Sequence, residues 1–316
     1  MPTFQDIGDD ARRQYIDARA ALEALEAAQQ QAAAVRGGMY WKTVKGADYL
    51  VRTSARNAQK SLGPRSAETE AVYASFTDRK AEAEARVKDL ATTVQRQQRL
   101  NRALYVGRVP AVVVDILDML QRQNVAEHFT VVGTHAIYAY EAAAGVRVES
   151  AAVATRDVDL LWDRRKRFKM ATQLKRLDAS MLALLQKVDK SFRLRASQRY
   201  TAVNSQGFEV DILRREVQED APHPAQLSGA EDEFGVVQAR NPEQLVSAPR
   251  FSALVVAASG QMARMNTVHP LAFVRFKRWL AGRPDRDPLK VSRDALQADT
   301  VAQLVQDYLP QLLPAA

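Results

Sequence analysis

Asp157 and Asp159 stand two apart in Asp157-Val158-Asp159-Leu160, and the same alternation returns in Phe208-Glu209-Val210-Asp211-Ile212. Residues two apart on a strand share a face, so Val158 and Leu160 would be buried while both carboxylates project from the other side. Asp211 would project likewise from a strand that follows the Ser205-Gln206-Gly207 turn. Acids held side by side repel unless a cation lies between them. Three strand-borne carboxylates facing one cleft can hold two divalent hard cations, one activating an attacking hydroxyl and one stabilising a phosphate leaving group. A second feature precedes them. The run Phe129-Thr130-Val131-Val132 stops at Gly133-Thr134, and an Ala-rich helical stretch from His135 to Ala144 begins at once. A strand, a tight turn and a helix N-terminus offer backbone amides and a helix dipole to a phosphate. Together these parts describe nucleotidyl transfer from a nucleoside triphosphate (NTP).

Val131-Val132-Gly133-Thr134, then Thr155-Arg156-Asp157-Val158-Asp159-Leu160, then Glu209-Val210-Asp211-Ile212 resemble the signature of the polymerase-β-like nucleotidyltransferase superfamily: a hydrophobic-Gly-Ser turn, an Asp-x-Asp strand and a later third Asp. The Gly-Thr-His-Ala-x-x-Ala-Tyr-Glu and Asp-Val-Asp-Leu-Leu-Trp-Asp stretches look more narrowly like a bacterial family of that superfamily, and the likeness covers roughly Pro110 to Leu280. The resemblance implies that Gly133 and Thr134 contact the triphosphate and that Asp157 and Asp159 bind Mg²⁺, as two ions, with Mn²⁺ as a substitute. It implies that Asp211 is the third carboxylate and a base, and that Lys277 resembles a downstream helical lysine that grips phosphate. Threonine stands where serine is usual, which keeps the hydroxyl. The interval from Gly133 to Asp157 is longer than in most members, so a loop inserted around Gly145 to Ala154 is expected beside the nucleotide site.

Helices must carry much of the remainder. Gly8 to Arg36 is rich in Ala, Glu, Gln and Arg and ends at Gly37-Gly38, and Ser66 to about Ala103 forms a second long helix with Ser66 as N-cap. Two helices this long are expected to pack antiparallel, with a small hairpin at the tip. Pro110 to Gln123 is amphipathic, Ala171 to Lys190 reads as helix, and Phe251 to Ala258 with Met262 to Val268 reads as a hairpin. Pro270 sits at the first position of a helix whose border carries Lys277, and Asp287 to Leu313 is the last helix. Lys290 and Asp294 have helix-pair spacing and read as structural. Val217 to Pro249 reads as loop with a short helix.

The tip, about residues 37–65, concentrates positive charge. Lys42, Lys45, Arg52, Arg56, Lys60 and Arg65 lie among Tyr40, Trp41 and Tyr49, with Asp48 as the acid between them. Phosphate neutralisation and base stacking would use such a set, Trp41 included. An aromatic mini-core under a solvated basic loop would use it equally well. The run Arg164-Arg165-Lys166-Arg167-Phe168-Lys169 could hold phosphates or open a solvated helix.

The composition closes several routes. With 316 residues, 47% hydrophobic and 26% charged, the chain is globular; it has no cysteine, hence neither disulfides nor a thiolate site. His128, His135, His223 and His269 lack zinc-site spacing, and His135 reads as packed rather than as a base. Neither a phosphate-binding loop ending in Gly-Lys-Ser/Thr nor Gly-x-Gly-x-x-Gly occurs. Met1 to Asp10 is polar and acidic, unlike a secretory leader, and no apolar run reaches membrane-span length, so a cytoplasmic protein without membrane contact is expected. The net charge of +8 suits a polyanionic partner.

The expectation is therefore an α+β nucleotidyltransferase with a mixed sheet and flanking helices. Residues 1–108 form an N-terminal helical arm with a basic hairpin tip, 109–268 the catalytic core and 269–316 a C-terminal helical segment. NTP is the substrate and RNA, with tRNA as one form of it, the leading acceptor. A protein hydroxyl follows, as in AMPylating toxins and antitoxins of this superfamily, and then a small molecule. Rivals from other classes are a non-catalytic nucleic-acid or protein-binding module that keeps the fold, and a coiled-coil adaptor. The oligomeric state is open.

Overall fold

Asp9 and Asp10 place carboxylates at the positive end of α1 (Asp9–Ala34), which follows a short strand, β1 (Phe4–Asp6). The computed structural model describes residues 3–55, 57–162, 167–177, 179–214, 225–227, 233–238, 245 and 248–314. Two compact units emerge, residues 13–104 and residues 1–12 with 105–316.

In the unit of residues 13–104, α1 is followed by β2 (Gly38–Val44), β3 (Ala47–Thr53) and β4 (Gln59–Pro64), then by α2 (Ala67–Ala103). Ser66 caps α2 by accepting from the Thr69 amide while Thr69 Oγ1 accepts from the Ser66 amide, a reciprocal box that satisfies two exposed donors. Gln14 donates to Gln97 and Asn101, and Lys80 donates to the Gly37 carbonyl, so α1 and α2 run antiparallel. Where the composition suggested a two-stranded hairpin, the strands form an antiparallel trio in the order β2-β3-β4. Gln-Lys-Ser-Leu-Gly-Pro has weak strand propensity; it is held in place by pairing with β3 across an irregularity at Leu50/Val51.

The other unit is α+β, with a mixed sheet flanked by helices. It contains α3 (Ala111–Arg122), β5 (Phe129–Val132), α4 (Ala136–Ala144), β6 (Val146–Val148), α5 (Ser150–Val153) and β7 (Asp157–Trp162). Next come α6 (Arg167–Leu177), α7 (Met181–Val188), β8 (Arg193–Arg195), β9 (Gln198–Val203), β10 (Glu209–Arg214), β11 (Ala225–Gln226) and β12 (Gly235–Gln238). β13 (Arg250–Val256), β14 (Met262–Val268), α8 (Pro270–Ala281) and α9 (Pro288–Tyr308) complete it. Among the described residues the main sheet runs β11-β12-β10-β7-β5-β14-β13, with β9 also on β10 and β8 on β9. β7 and β10 are parallel, β5 and β7 antiparallel, and β14 and β5 parallel.

The segment expected as an inserted loop around Gly145 to Ala154 is structured instead. Gly145, at φ +67, ends α4 in the left-handed conformation, β6 then pairs antiparallel with β1, and α5 follows. Three residues make too short a strand to announce themselves; β6 exists because β1 supplies its partner from the far end of the sequence. Residues 164–166 of the cationic run, and most of Val217 to Pro249, lie outside the described residues.

The core explains why the site-bearing strands are rigid. Val113, Val114, Ile116, Leu117 and Leu120 on α3 are buried, as are all four residues of β5, and Leu160, Trp162, Ile137, Tyr140 and Phe273 are among the fully buried large side chains. Removing one such side chain down to Ala costs about 2–5 kcal/mol.

Candidate active site

β7 buries Val158 and Leu160 and turns Asp157 and Asp159 to the opposite face. Its register with β10 pairs Asp157 with Glu209 and Asp159 with Asp211, and its register with β5 pairs Asp159 with Val132. Asp159 therefore lies between the third carboxylate on one side and the residue before the Gly133 turn on the other. Val132, Gly133, Thr134, Asp157, Asp159, Asp211 and Lys277 line one cavity of about 320 Å³.

The Gly133 turn is built against Asp159. Gly133 has φ +68, a backbone conformation that favours glycine, and a Cβ there would displace the Asp159 Oδ2 end of the carboxylate. Thr134, 5% exposed, has its Oγ1 held by Gln297 Nε2 at 3.0 Å, and the same amide nitrogen donates to the Ala152 carbonyl at 2.8 Å. Behind the turn, Thr267 Oγ1 donates to the Val131 carbonyl and Tyr140 to the Val268 carbonyl, which fixes β14 and α4 against β5. Glu141, buried, accepts both from Arg108 and from the Val148 amide, so it ties α4 to β6 and not to the cavity.

Each outer carboxylate is oriented by a threonine. Thr155 Oγ1 donates to Asp157 Oδ1, and Thr201 Oγ1, opposite Asp211 on β9, donates to Asp211 Oδ1 at 2.5 Å. Glu209, on the same face, is engaged by Arg195. Among the described residues no group of three His, Asp or Glu side chains stands close enough together to hold a metal ion. The donor set itself is nonetheless hard oxygen, suited to Mg²⁺ rather than to zinc.

The charge balance shows where a cation would be welcome. Burial, followed by the negative neighbours Asp157 and Asp211, pushes the Asp159 carboxyl up to about 7. Burial also raises Asp211, against the Thr201 hydrogen bond that lowers it. His135, 1% exposed, stacks on Phe208 at 6.0 Å between centroids; neither ring nitrogen is hydrogen-bonded, and burial pushes it down to about 4. It is a neutral packing residue at pH 7, as its position after the turn suggested.

The opposite wall is cationic. Lys277 from α8, Arg286 from the connection, and Lys290 and Arg293 from α9 face the carboxylates across the cavity, with Phe276, Leu280, Leu213 and Leu245 as apolar lining. Lys277 is 4% exposed and its Nζ is 2.7 Å from Asp294 Oδ1. Asp294 does not pair with Lys290 as spacing suggested: it is fully buried and holds Lys277 on one oxygen and Arg286 on the other, at 2.7 Å. Burial lowers the Lys277 ammonium, against the pull of Asp294. Sequence reasoning missed Arg286, Arg293 and Gln297; the available signal was a polar stripe at 290, 293, 294 and 297, the spacing of one helix face.

Within the unit of residues 13–104, the basic set is unequally free. Arg52 donates to the carbonyls of Arg36, Gly38 and Thr53 and lies over the Phe76 ring at 4.2 Å. Arg65 pairs with Asp48 and Glu70 and lies over Trp41, whose ring packs on Tyr73 at 5.9 Å. Lys42, Lys45 and Lys60 are exposed, and Arg56 lies outside the described residues.

Among the described residues no helix is long and apolar enough to cross a membrane. Curated proteins and solved structures offer no match to the chain. A protein-family model described as nucleotidyltransferase matches residues 111–316, the stretch that carries the acidic strands, the glycine turn and the cationic wall. The chain belongs to that nucleotidyltransferase family and is an enzyme that transfers nucleotidyl groups.

Proposed function

We propose that the enzyme moves a nucleoside monophosphate from an NTP to an acceptor hydroxyl in a Mg²⁺-dependent reaction, and that the acceptor is RNA. The observation that carries this reading is register: β7 sets Asp159 beside Asp211 and against the Gly133 turn, in one cavity with a cationic wall. Asp157, Asp159 and Asp211 would hold the Mg²⁺, as two ions, with Mn²⁺ able to replace them. Bound there, the metal would polarise the α-phosphate and offset the charge of the leaving group. Gly133 and Thr134 present the turn to the triphosphate, and Lys277 adds positive charge behind it. Asp211, with Oδ1 engaged by Thr201, has its other oxygen to accept the proton of the attacking hydroxyl. The acceptor oxygen bonds to the α-phosphorus as the bond to pyrophosphate breaks. Residues 109–268 are then the catalytic core, 269–316 the segment that supplies the cationic wall, and residues 13–104, within the N-terminal stretch 1–108, the acceptor-binding arm, in a cytoplasmic protein.

Exposed Lys42, Lys45 and Lys60 support RNA as the acceptor, since backbone binding needs cations not already paired. A protein hydroxyl is the second reading, favoured by the engagement of Arg52, Arg65 and Trp41 within their own unit. The test is to incubate the full chain with each NTP radiolabelled at the α-phosphate, Mg²⁺, cellular RNA and cellular protein, beside the D157N/D159N double variant. Label on RNA with the unmutated enzyme alone supports the proposal; label on a protein band moves the acceptor to the second reading. Equal labelling by the double variant would sink the assignment of the carboxylates.

A further inference from the structure

The cationic wall divides into two pairs with different surroundings. Lys277 and Arg286 share Asp294, whose two oxygens are both occupied: Oδ1 by Lys277, and Oδ2 by Arg286 Nε at 2.9 Å and its terminal nitrogen at 2.7 Å. Asp294 is fully buried, so this cluster is a fixed, partly neutralised part of the wall. Lys290 and Arg293 also line the cavity, and among the described residues neither makes an ion pair within hydrogen-bonding distance. Arg293 carries a stronger sign of an absent partner: its Nε is buried and has no hydrogen-bond acceptor. Buried N–H donors of native proteins are nearly always satisfied, and a charged one is among the costliest to leave open.

Helix geometry says what such an acceptor must be. Lys290, Arg293 and Gln297 follow one another at i, i+3 and i+7, so they form one stripe along α9. The stripe ends at Thr134, which Gln297 holds at 3.0 Å. A ligand on Arg293 therefore lies between an exposed lysine at the start of α9 and the glycine turn at the far end of the stripe. A chain of phosphates has that extended, multiply anionic form, and guanidinium groups bind phosphate oxygens in a fork.

We infer that Arg293, assisted by Lys290, is the phosphate-contacting cation of this enzyme, and that Asp294 is a positioning residue which holds Lys277 and Arg286 beside it. The inference rests on the NTP reading of the cavity and deepens it by naming the residues that distinguish a triphosphate from a monophosphate. The roles on α9 then separate cleanly: Gln297 sets the turn, Arg293 and Lys290 hold the phosphate chain, and Asp294 keeps the neighbouring cations from claiming the carboxylates opposite.

Equilibrium binding by calorimetry tests it, using the full chain with Mg²⁺ and four probes of graded phosphate content: ATP, GTP, AMP and inorganic tripolyphosphate. R293Q is expected to weaken the tighter-binding NTP and tripolyphosphate by about 10- to 100-fold, the range of a lost charge-assisted contact, and AMP by less than about threefold. R293K should recover part of the loss by keeping the charge. K290Q, at an exposed position that folding tolerates, should weaken the triphosphates by about three- to tenfold and serves if R293Q fails to fold. Unchanged triphosphate binding in folded R293Q and in K290Q would overturn the inference while leaving the NTP reading in place. If the unmutated chain bound no triphosphate probe, both would fall together.

Discussion

Asp159 of β7 stands directly opposite Asp211 of β10 in a parallel pair, with Val132 of β5 opposite it on the other side. Neighbouring strands lie roughly 4.8 Å apart, so these two carboxylates cannot avoid one another's field. Two hydrophobic alternations, 52 residues apart in sequence, are thereby converted into one concentrated negative centre beside a glycine turn.

That proximity should be visible as a pH dependence of stability in the metal-free protein. The folded-state carboxyl of Asp159 is pushed up to about 7, above its unfolded value, so the folded chain retains a proton that the unfolded chain releases. Stability should then be highest below about pH 4 as far as this group is concerned, and fall as pH rises toward about 7. D159N removes the titration, and at about pH 8 it should be more stable than the parent by on the order of 2 kcal/mol, a gap that narrows on acidification. Urea melts at several pH values with a chelator present measure it; parallel curves for the two proteins would show that Asp159 does not carry this strain.

G133A should impair both fold and chemistry. Its Cβ would meet Asp159 Oδ2 at a φ of +68, where side chains are rarely accommodated. A loss of about 1–3 kcal/mol is expected in melting, with at least a tenfold fall in label transfer. Full activity in G133A would mean that the turn yields more easily than its geometry indicates.

Asp294 should be costly to remove. D294A leaves Lys277, 4% exposed, beside Arg286 with no shared carboxylate, and about 3–5 kcal/mol of destabilisation is expected for breaking a buried pair. The double variant D294A/K277M should regain much of that loss, because the uncompensated charge goes too. A double-mutant cycle by calorimetry decides: purely additive effects would refute the coupling.

The basic residues of the unit 13–104 should separate into structural and exposed sets. R52A is expected to lower the melting of that unit by about 1–3 kcal/mol through three lost carbonyl contacts and the Phe76 stack. K42A/K45A/K60A should change stability by less than about 0.5 kcal/mol. The same triple variant should flatten the salt dependence of RNA retention, measured by filter binding at graded ionic strength. An unchanged salt slope would remove these lysines from the acceptor-binding surface.

The acidic strands and the glycine turn were readable because each is a local pattern: period-two alternation at Val158 and Leu160, and a β-branched run ended by Gly133. Of the cationic wall, Lys277 alone was readable. On α9, Lys290 and Asp294 read as a structural helix pair and Arg293 and Gln297 carried no reading, since polar residues on a helix normally point outward. Only the fold shows that α8 and α9 close over the cavity and turn that stripe inward, and Asp294 at zero exposure gives no sequence sign of its burial. β4 and β6 escaped notice for a related reason, since each depends on a partner strand more than on its own composition.

β1 has a consequence for how the gene could be cut. It pairs with β6, and Arg12 just after it reaches the Gly145 carbonyl while Arg147 reaches the Tyr105 carbonyl. The chain thus departs from its second unit and returns to it beside the same three-residue strand, which makes residues 13–104 an insertion rather than a leading domain. Deleting everything before Tyr105 would strip an edge strand from the catalytic unit. Joining Arg12 to Tyr105 through a short glycine linker would excise the insertion and leave that strand in its place.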